Sequence, residues 1–161
     1  MADTKMPMPS KKTIALVAHD HKKDDLLQWA RYNKDLLKKH KLIATGTTGE
    51  LLHRELGLEV AALRSGPLGG DQQLGAKIVE GEVDILIFFW DPLEALPHDP
   101  DVKALLRVSV IWNIPLACNR ITADFLISSP LLEEEYERSV PNYEQYRKTR
   151  ISTGFDSLRE E

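Results

Sequence analysis

Thr13-Ile14-Ala15-Leu16-Val17-Ala18, running at once into His19-Asp20-His21-Lys22-Lys23, is the stretch that decides the fold. It is apolar on both parities, so as a strand it is buried on both faces, the mark of a parallel sheet held between two layers of helix. Ile85–Phe89 repeats the pattern and ends at Asp91-Pro92. Leu42–Ala44, Val60–Leu63 and Ile114–Cys118 are further apolar runs, and Pro115 near the start of the last argues for an edge strand. Helical patterns fill the intervals. Leu26, Trp29, Ala30, Leu36 and Leu37 form one stripe, with Asp24 and Asp25 early and Lys38, Lys39 and His40 late, as the helix dipole favours. A short helix runs to Gly57, another carries Leu74, Ile78 and Val79, and Thr122–Ile127 forms a last short one. Asp99 reads as an N-cap with Pro100 at N1, opening a helix with Val102, Leu105, Leu106, Ser109 and Trp112 on one face. Five strands alternating with helices predict a single-domain α/β fold: a doubly wound, five-stranded parallel sheet with helices on both faces. The expected divisions are a flexible N-terminus (1–12), the domain (13–150) and a polar C-terminal extension (151–161).

Composition narrows the classes. The 161 residues suffice for one core, and 42% hydrophobic with 29% charged residues is ordinary for a soluble globular protein. A net charge of -4 leaves no footprint for nucleic acid. The longest apolar run, Ile85–Trp90, is too short to cross a bilayer, and Met1–Lys12 lacks the apolar stretch of a secretory signal, so a cytoplasmic protein without membrane contact is expected. One cysteine, Cys118, excludes an internal disulfide and a multi-cysteine metal site.

In a doubly wound sheet, ligands bind beyond the carboxyl ends of the strands. Those ends carry His19-Asp20-His21, Thr45-Gly46-Thr47-Thr48, Ser65-Gly66, and Asp91 with His98-Asp99-Pro100-Asp101. Nearly every chemically competent group therefore faces one rim. Ser65-Gly66-Pro67-Leu68-Gly69-Gly70-Asp71 is a tight, backbone-exposed loop with an acid where a helix resumes. Such a loop offers N–H groups to an anion beside acid–base chemistry; the plainer alternative is a strand-to-helix turn with Asp71 as a dipole-favoured acid. Thr45–Gly49 offers three hydroxyls and open N–H groups at a helix start, an anion cradle without a P-loop lysine, or else an ordinary threonine cap. In extended backbone His19 and His21 share a side, which suits two metal ligands with Asp91 or His98 as a third; Lys23 beside them suits a phosphate better, and His19 can equally be a structural histidine. His98 can present an electrophilic N–H to a carbonyl oxygen, while Asp99 and Asp101 fit capping and dipole roles.

Taken together, AHDHK, ATGTTG, SGPLGGDQQ, FFWDP and PHDPDVKALLR resemble methylglyoxal synthase in one register, from about Thr13 to Arg150. The resemblance implies conversion of dihydroxyacetone phosphate to methylglyoxal and inorganic phosphate with no metal or organic cofactor. It implies Asp71 as the base, His98 as the electrophile at the oxygen, and Asp101 as an auxiliary acid. Lys23, Thr45, Gly46, Thr47, Thr48, Ser65 and Gly66 match phosphate- and substrate-binding positions, His19 a substrate-binding one, and Asp20 and Asp91 positions lining the site. It further implies a homohexamer with phosphate-sensitive cooperativity, in which Arg150 reaches a neighbouring subunit, and inorganic phosphate that acts as product and inhibitor. This chain departs by continuing eleven residues past Arg150. Two rivals stand beside this one. One is a non-catalytic methylglyoxal-synthase-like effector domain; the other is a metal-dependent phosphohydrolase using His19, His21 and Asp91.

Overall fold

Thr13–Ala18 is the central strand of a five-stranded sheet in the computed structural model of the chain, which describes residues 3–94 and 99–157. The elements run β1 (Asp3–Met8), β2 (Thr13–Ala18), α1 (Lys23–Tyr32), α2 (Lys34–Leu37), β3 (Lys41–Thr45), α3 (Gly46–Leu56) and β4 (Val60–Leu63). They continue with α4 (Gly70–Val79), β5 (Ile85–Phe89), α5 (Asp99–Ile111), β6 (Leu116–Ala117), α6 (Arg120–Ile127), β7 (Tyr136–Pro141) and α7 (Tyr143–Ser157). The sheet order is β4-β3-β2-β5-β6 with every neighbouring pair parallel, and β6 takes the edge position that Pro115 requires.

Both parities of the central strands are apolar because both meet helices. Ile14, Leu16, Ile85 and Ile87 share a core with Leu26 and Trp29 of α1, Leu52 of α3 and Ala123 of α6. Ala15, Val17, Leu86 and Phe88 share a second core with Leu74 and Ile78 of α4 and Val102 and Leu105 of α5. Leu26, Trp29, Leu74 and Ile78 are no more than 1% exposed; burying each such side chain stabilises the fold by about 1.5–3 kcal/mol. The chain builds β2, β3 and β4 in one direction, then crosses back to lay β5 and β6 on the other side of β2. That reversal puts the topological switch between β2 and β5 and opens a crevice over their C-terminal ends.

Three segments differ from the sequence expectation. The helix expected through His40 is broken at Asn33 (φ -100°, ψ 17°), whose Nδ2 donates to the Trp29 carbonyl at 2.9 Å. The N-terminal segment expected to be flexible contains β1, which pairs antiparallel with β7, Asp3 opposite Pro141 and Met8 opposite Tyr136. Packing explains its order: Met8 is buried, and Met6 lies so close to Gly81 that a Cβ there would meet the Met6 Cε at 2.2 Å. Finally, α7 runs without a break through Arg150 to Ser157, so residue 150 is not an element boundary. Its residues from Tyr143 to Ser152 are exposed.

Candidate active site

The ends of β2, β3 and β4 together wall a cleft of about 290 Å³. His19, Asp20, Lys23, Thr45, Thr47, Thr48, Ser65, Gly66, Pro67, Asp71 and Glu94 line it, over Val17, Ala18 and Phe88.

At the end of β3 the backbone turns from extended Thr45 (φ -73°, ψ 137°) directly into α3. Gly46 has φ +27°, and a Cβ on it would stand 2.6 Å from the Ser65 Cα. Its N–H donates to the Arg64 carbonyl at 3.2 Å. Gly46 thus does not line the cleft; it pins the two loops that do. Thr45 and Thr48 are buried and Thr47 is exposed, while the helix start supplies N–H groups that have no acceptor within the helix.

The Ser65 loop is a single turn of 3-10 helix. The Ser65 carbonyl accepts from the N–H of Leu68 at 3.0 Å and of Gly70 at 2.9 Å. Gly69 sits at φ +97°, and a Cβ on Gly70 would stand 1.8 Å from the Arg64 carbonyl oxygen, so this crossing admits only glycine. It places Asp71 in the first turn of α4, folded back on the loop: a Cβ on Gly66 would lie 3.3 Å from Asp71 Oδ2 and 3.6 Å from Oδ1.

At the end of β2, Lys23 Nζ donates to Asp20 Oδ1 at 2.5 Å and to Thr47 Oγ1 at 2.7 Å, bridging two sides of the cleft. The Lys23 hydrogen bond holds the Asp20 carboxyl below its ordinary value. His19 Nδ1 accepts the Asp91 N–H at 3.1 Å, and its ring stands edge-on to Phe88 at 5.2 Å. In the neutral imidazole the proton is therefore on Nε2. Asp91 does not line the cleft. It is buried behind His19, where Oδ1 accepts the Leu93 N–H at 3.0 Å and Oδ2 lies 3.3 Å from His21 Nδ1. The Leu93 N–H, more than His21, keeps the Asp91 carboxyl below its usual range.

His19 and His21 do not share a side. Asp20–Lys22 form a turn of 3-10 helix, so His21 leaves the cleft and joins Asp91 and Glu94, with one ligand atom of each within 4.8 Å of the others. A cation could be held there, but not with His19, whose Nδ1 lone pair is engaged by the Asp91 N–H. Asp101, on α5, accepts from Gln72 Nε2 at 2.9 Å and lines a separate hollow of about 80 Å³ between α4 and α5. Asp71 lines both that hollow and the cleft, and so stands between the two. His98 lies outside the described residues. Arg150 lies on α7, its Nε donating to Tyr146 Oη at 3.1 Å, and its hollow shares no lining residue with the cleft. Glu94, a cleft residue that the sequence did not single out, follows the strand-ending Asp91-Pro92 by two positions, which was the available signal.

Chemically, the cleft combines one ammonium, several hydroxyls and a helix start on one side with the Asp71 carboxylate on the other; Asp20, bound to Lys23, and Glu94 also line it. That suits a small phosphorylated substrate whose carbon skeleton reaches Asp71.

A family model described as an MGS-like domain matches residues 25–118. The methylglyoxal synthase of Cellvibrio japonicus is 59% identical over 144 residues, covering 89% of this chain and 94% of that protein. The methylglyoxal synthase of Vibrio parahaemolyticus is 58% identical over 151 residues, covering 94% of this chain and 100% of its own length. The crystal structure of methylglyoxal synthase from Elizabethkingia anophelis superposes with a TM-score of 0.85 at 57% identity, covering 90% of this chain and 95% of that one.

Proposed function

The chain belongs to the methylglyoxal synthase family, and on that premise we propose that it is a carbon–oxygen lyase converting dihydroxyacetone phosphate to methylglyoxal and inorganic phosphate. The observation that carries this reading is the position of Asp71, folded onto Gly66 beside the cradle of Lys23, Thr47, Thr48 and Ser65.

Lys23, the hydroxyls and the start of α3 hold the phosphate. Asp71 takes a proton from the hydroxymethyl carbon next to the ketone, and the C–H electrons form the enediolate. That proton is very weakly acidic, so the developing oxygen charge must meet fixed donors. His19, which lines the cleft, carries its proton on Nε2 in the neutral tautomer; His98 is assigned the electrophile's part from the family resemblance. The enediolate electrons then expel phosphate by breaking its C–O bond, and the resulting enol becomes methylglyoxal. Expulsion requires that bond to lie across the enediolate plane, so the cradle sets the outcome as well as the affinity. The helix dipole weakens Asp71 as a base, whereas its contact with Gly66 and substrate, with Asp101 nearby, opposes the dipole. Asp101, whose Oδ1 accepts from Gln72 Nε2, is assigned the auxiliary acid's part from the family resemblance.

No helix among the described residues is long and apolar enough to cross a membrane. The working compartment is the cytoplasm, and the assembly a homohexamer sensitive to inorganic phosphate, with Arg150 reaching a neighbour. Exposed Val110, Ile121 and Phe125 and the uncovered helix α7 support burial against further copies. Incubation with dihydroxyacetone phosphate discriminates among the readings. Methylglyoxal and phosphate in equal amounts mean the lyase, dihydroxyacetone and phosphate a hydrolase, and no turnover a binding domain.

A further inference from the structure

Beneath the ribbon of β1 and β7, remote from the cleft and sharing no residue with it, lies a second hollow of about 300 Å³. Its wall is mostly apolar, with Met8, Ile85, Ile114, Leu126, Leu132 and Tyr136, yet two cations line it as well: Lys12 and Arg138. Both are almost fully buried, 1% and 3% exposed. Lys12 Nζ donates to the carbonyls of Pro9 and Glu134, both at 2.5 Å, which leaves one of its three hydrogens. Arg138 is less well served. Its Nη2 meets only the Met6 Sδ at 3.3 Å, and its Nε and Nη1 are buried with no hydrogen-bond partner.

A guanidinium cannot shed its charge to escape this, and a buried unpaired charge is costly. Among the described residues no carboxylate lies within ion-pair distance of either cation. Asp84 acts on both from farther away, its Oδ2 already accepting the Thr13 N–H at 2.8 Å; Glu134 and Glu135 act on Lys12 from the exposed surface. Two buried cations against one buried carboxylate leave one positive charge in excess. We propose that this hollow binds a small amphipathic monoanion, a carboxylate on an apolar chain. The carboxylate pairs with the Arg138 guanidinium and the chain lies along Leu126, Leu132 and Ile114. The volume lies at the small end of the roughly 300–1,000 Å³ range of ligand pockets, which favours a short chain.

The test is calorimetric titration of the intact protein with butanoate, hexanoate and octanoate, with hexanol and inorganic phosphate as controls. Arg138→Met keeps the apolar stem, and circular dichroism with turnover of dihydroxyacetone phosphate confirms that it is folded. Arg138→Lys serves as the second variant, keeping the charge without the guanidinium. The expected result is saturable binding of at least one carboxylate, weakened at least about tenfold in both variants, with no such binding of hexanol. Failure of all three carboxylates to bind, equal binding to wild type and Arg138→Met, or equal binding of hexanol would overturn the proposal. Phosphate competing at this hollow as strongly as the carboxylates would overturn the assignment of an apolar chain.

Discussion

The Asp71 carboxylate rests on the Cα of Gly66, so close that a Cβ there would stand 3.3 Å from Oδ2. The anion loop and the proposed base therefore pack against each other. Gly66→Ala is expected to displace the carboxylate by a few tenths of an ångström. Since misplacement by about 1 Å can cost 10²-fold, turnover should fall by roughly 10- to 100-fold with the melting temperature little changed. Steady-state kinetics beside a thermal melt check this; unchanged turnover would mean that the Asp71–Gly66 contact is incidental.

Lys23 joins the Asp20 side of the cleft to the Thr47 side. Hydrogen bonds to charged groups contribute about 1.5–3 kcal/mol, so Lys23→Met should raise the KM for a phosphorylated substrate by roughly 10- to 150-fold. Inhibition by inorganic phosphate should weaken by a similar factor. A change confined to kcat would remove Lys23 from phosphate recognition.

Chelation bears on the hydrolase alternative. His21, Asp91 and Glu94 stand together, but Asp91 and His21 serve to hold the loop behind His19. Exhaustive EDTA treatment should leave turnover intact. Loss of turnover restored by one divalent metal would give that cluster a part in the reaction.

How far the sequence could be read follows from where each signal resides. The two-sided apolar runs of β2 and β5 are local, and their burial on both faces follows directly. The ribbon of β1 and β7 is not local. Its strands are separated by more than a hundred residues, β1 carries Pro7 and is mostly exposed, and no alternation announces the pairing. Helix α7 is polar around its circumference, so no stripe betrays it. At the site, the rule that ligands sit at strand ends located the rim. It could not separate residues that face the cleft from those behind it: Gly46 and Asp91 brace the walls, and Asp101 faces α4 through Gln72. His19 and His21 part because the backbone coils immediately after β2 instead of staying extended.

His40 predicts a pH dependence of stability. It is buried, its Nδ1 accepts the Lys12 N–H at 3.0 Å, and its Nε2 has no partner. Burial first, then the Lys12, Lys39 and Lys11 charges, push its pKa below the ordinary value, against an opposing pull from Glu133. The folded protein thus keeps it neutral while the unfolded chain takes up a proton below about pH 6.5. The unfolded state then binds more protons, so stability falls as pH drops through that range, by up to about 1.4 kcal/mol per pH unit for this one group. Urea unfolding of wild type and His40→Asn between pH 7.5 and 5.5 should show a flatter slope in the variant. Equal slopes would place the neutral-state preference elsewhere.

The central claim is that Asp71 removes the carbon-bound proton, and Asp71→Asn tests it most directly. Asparagine preserves the shape against Gly66 but cannot accept that proton. Loss of a general base costs about 10²–10⁴-fold, and more where no other base is in reach. The measurement is turnover of dihydroxyacetone phosphate by Asp71→Asn, paired with the affinity for a non-reacting phosphorylated analogue. A fall of at least about three orders of magnitude in turnover with affinity nearly unchanged is the predicted result. Near-normal turnover in Asp71→Asn would contradict the account, and if Asp101→Asn then abolished activity, the proton would belong to Asp101.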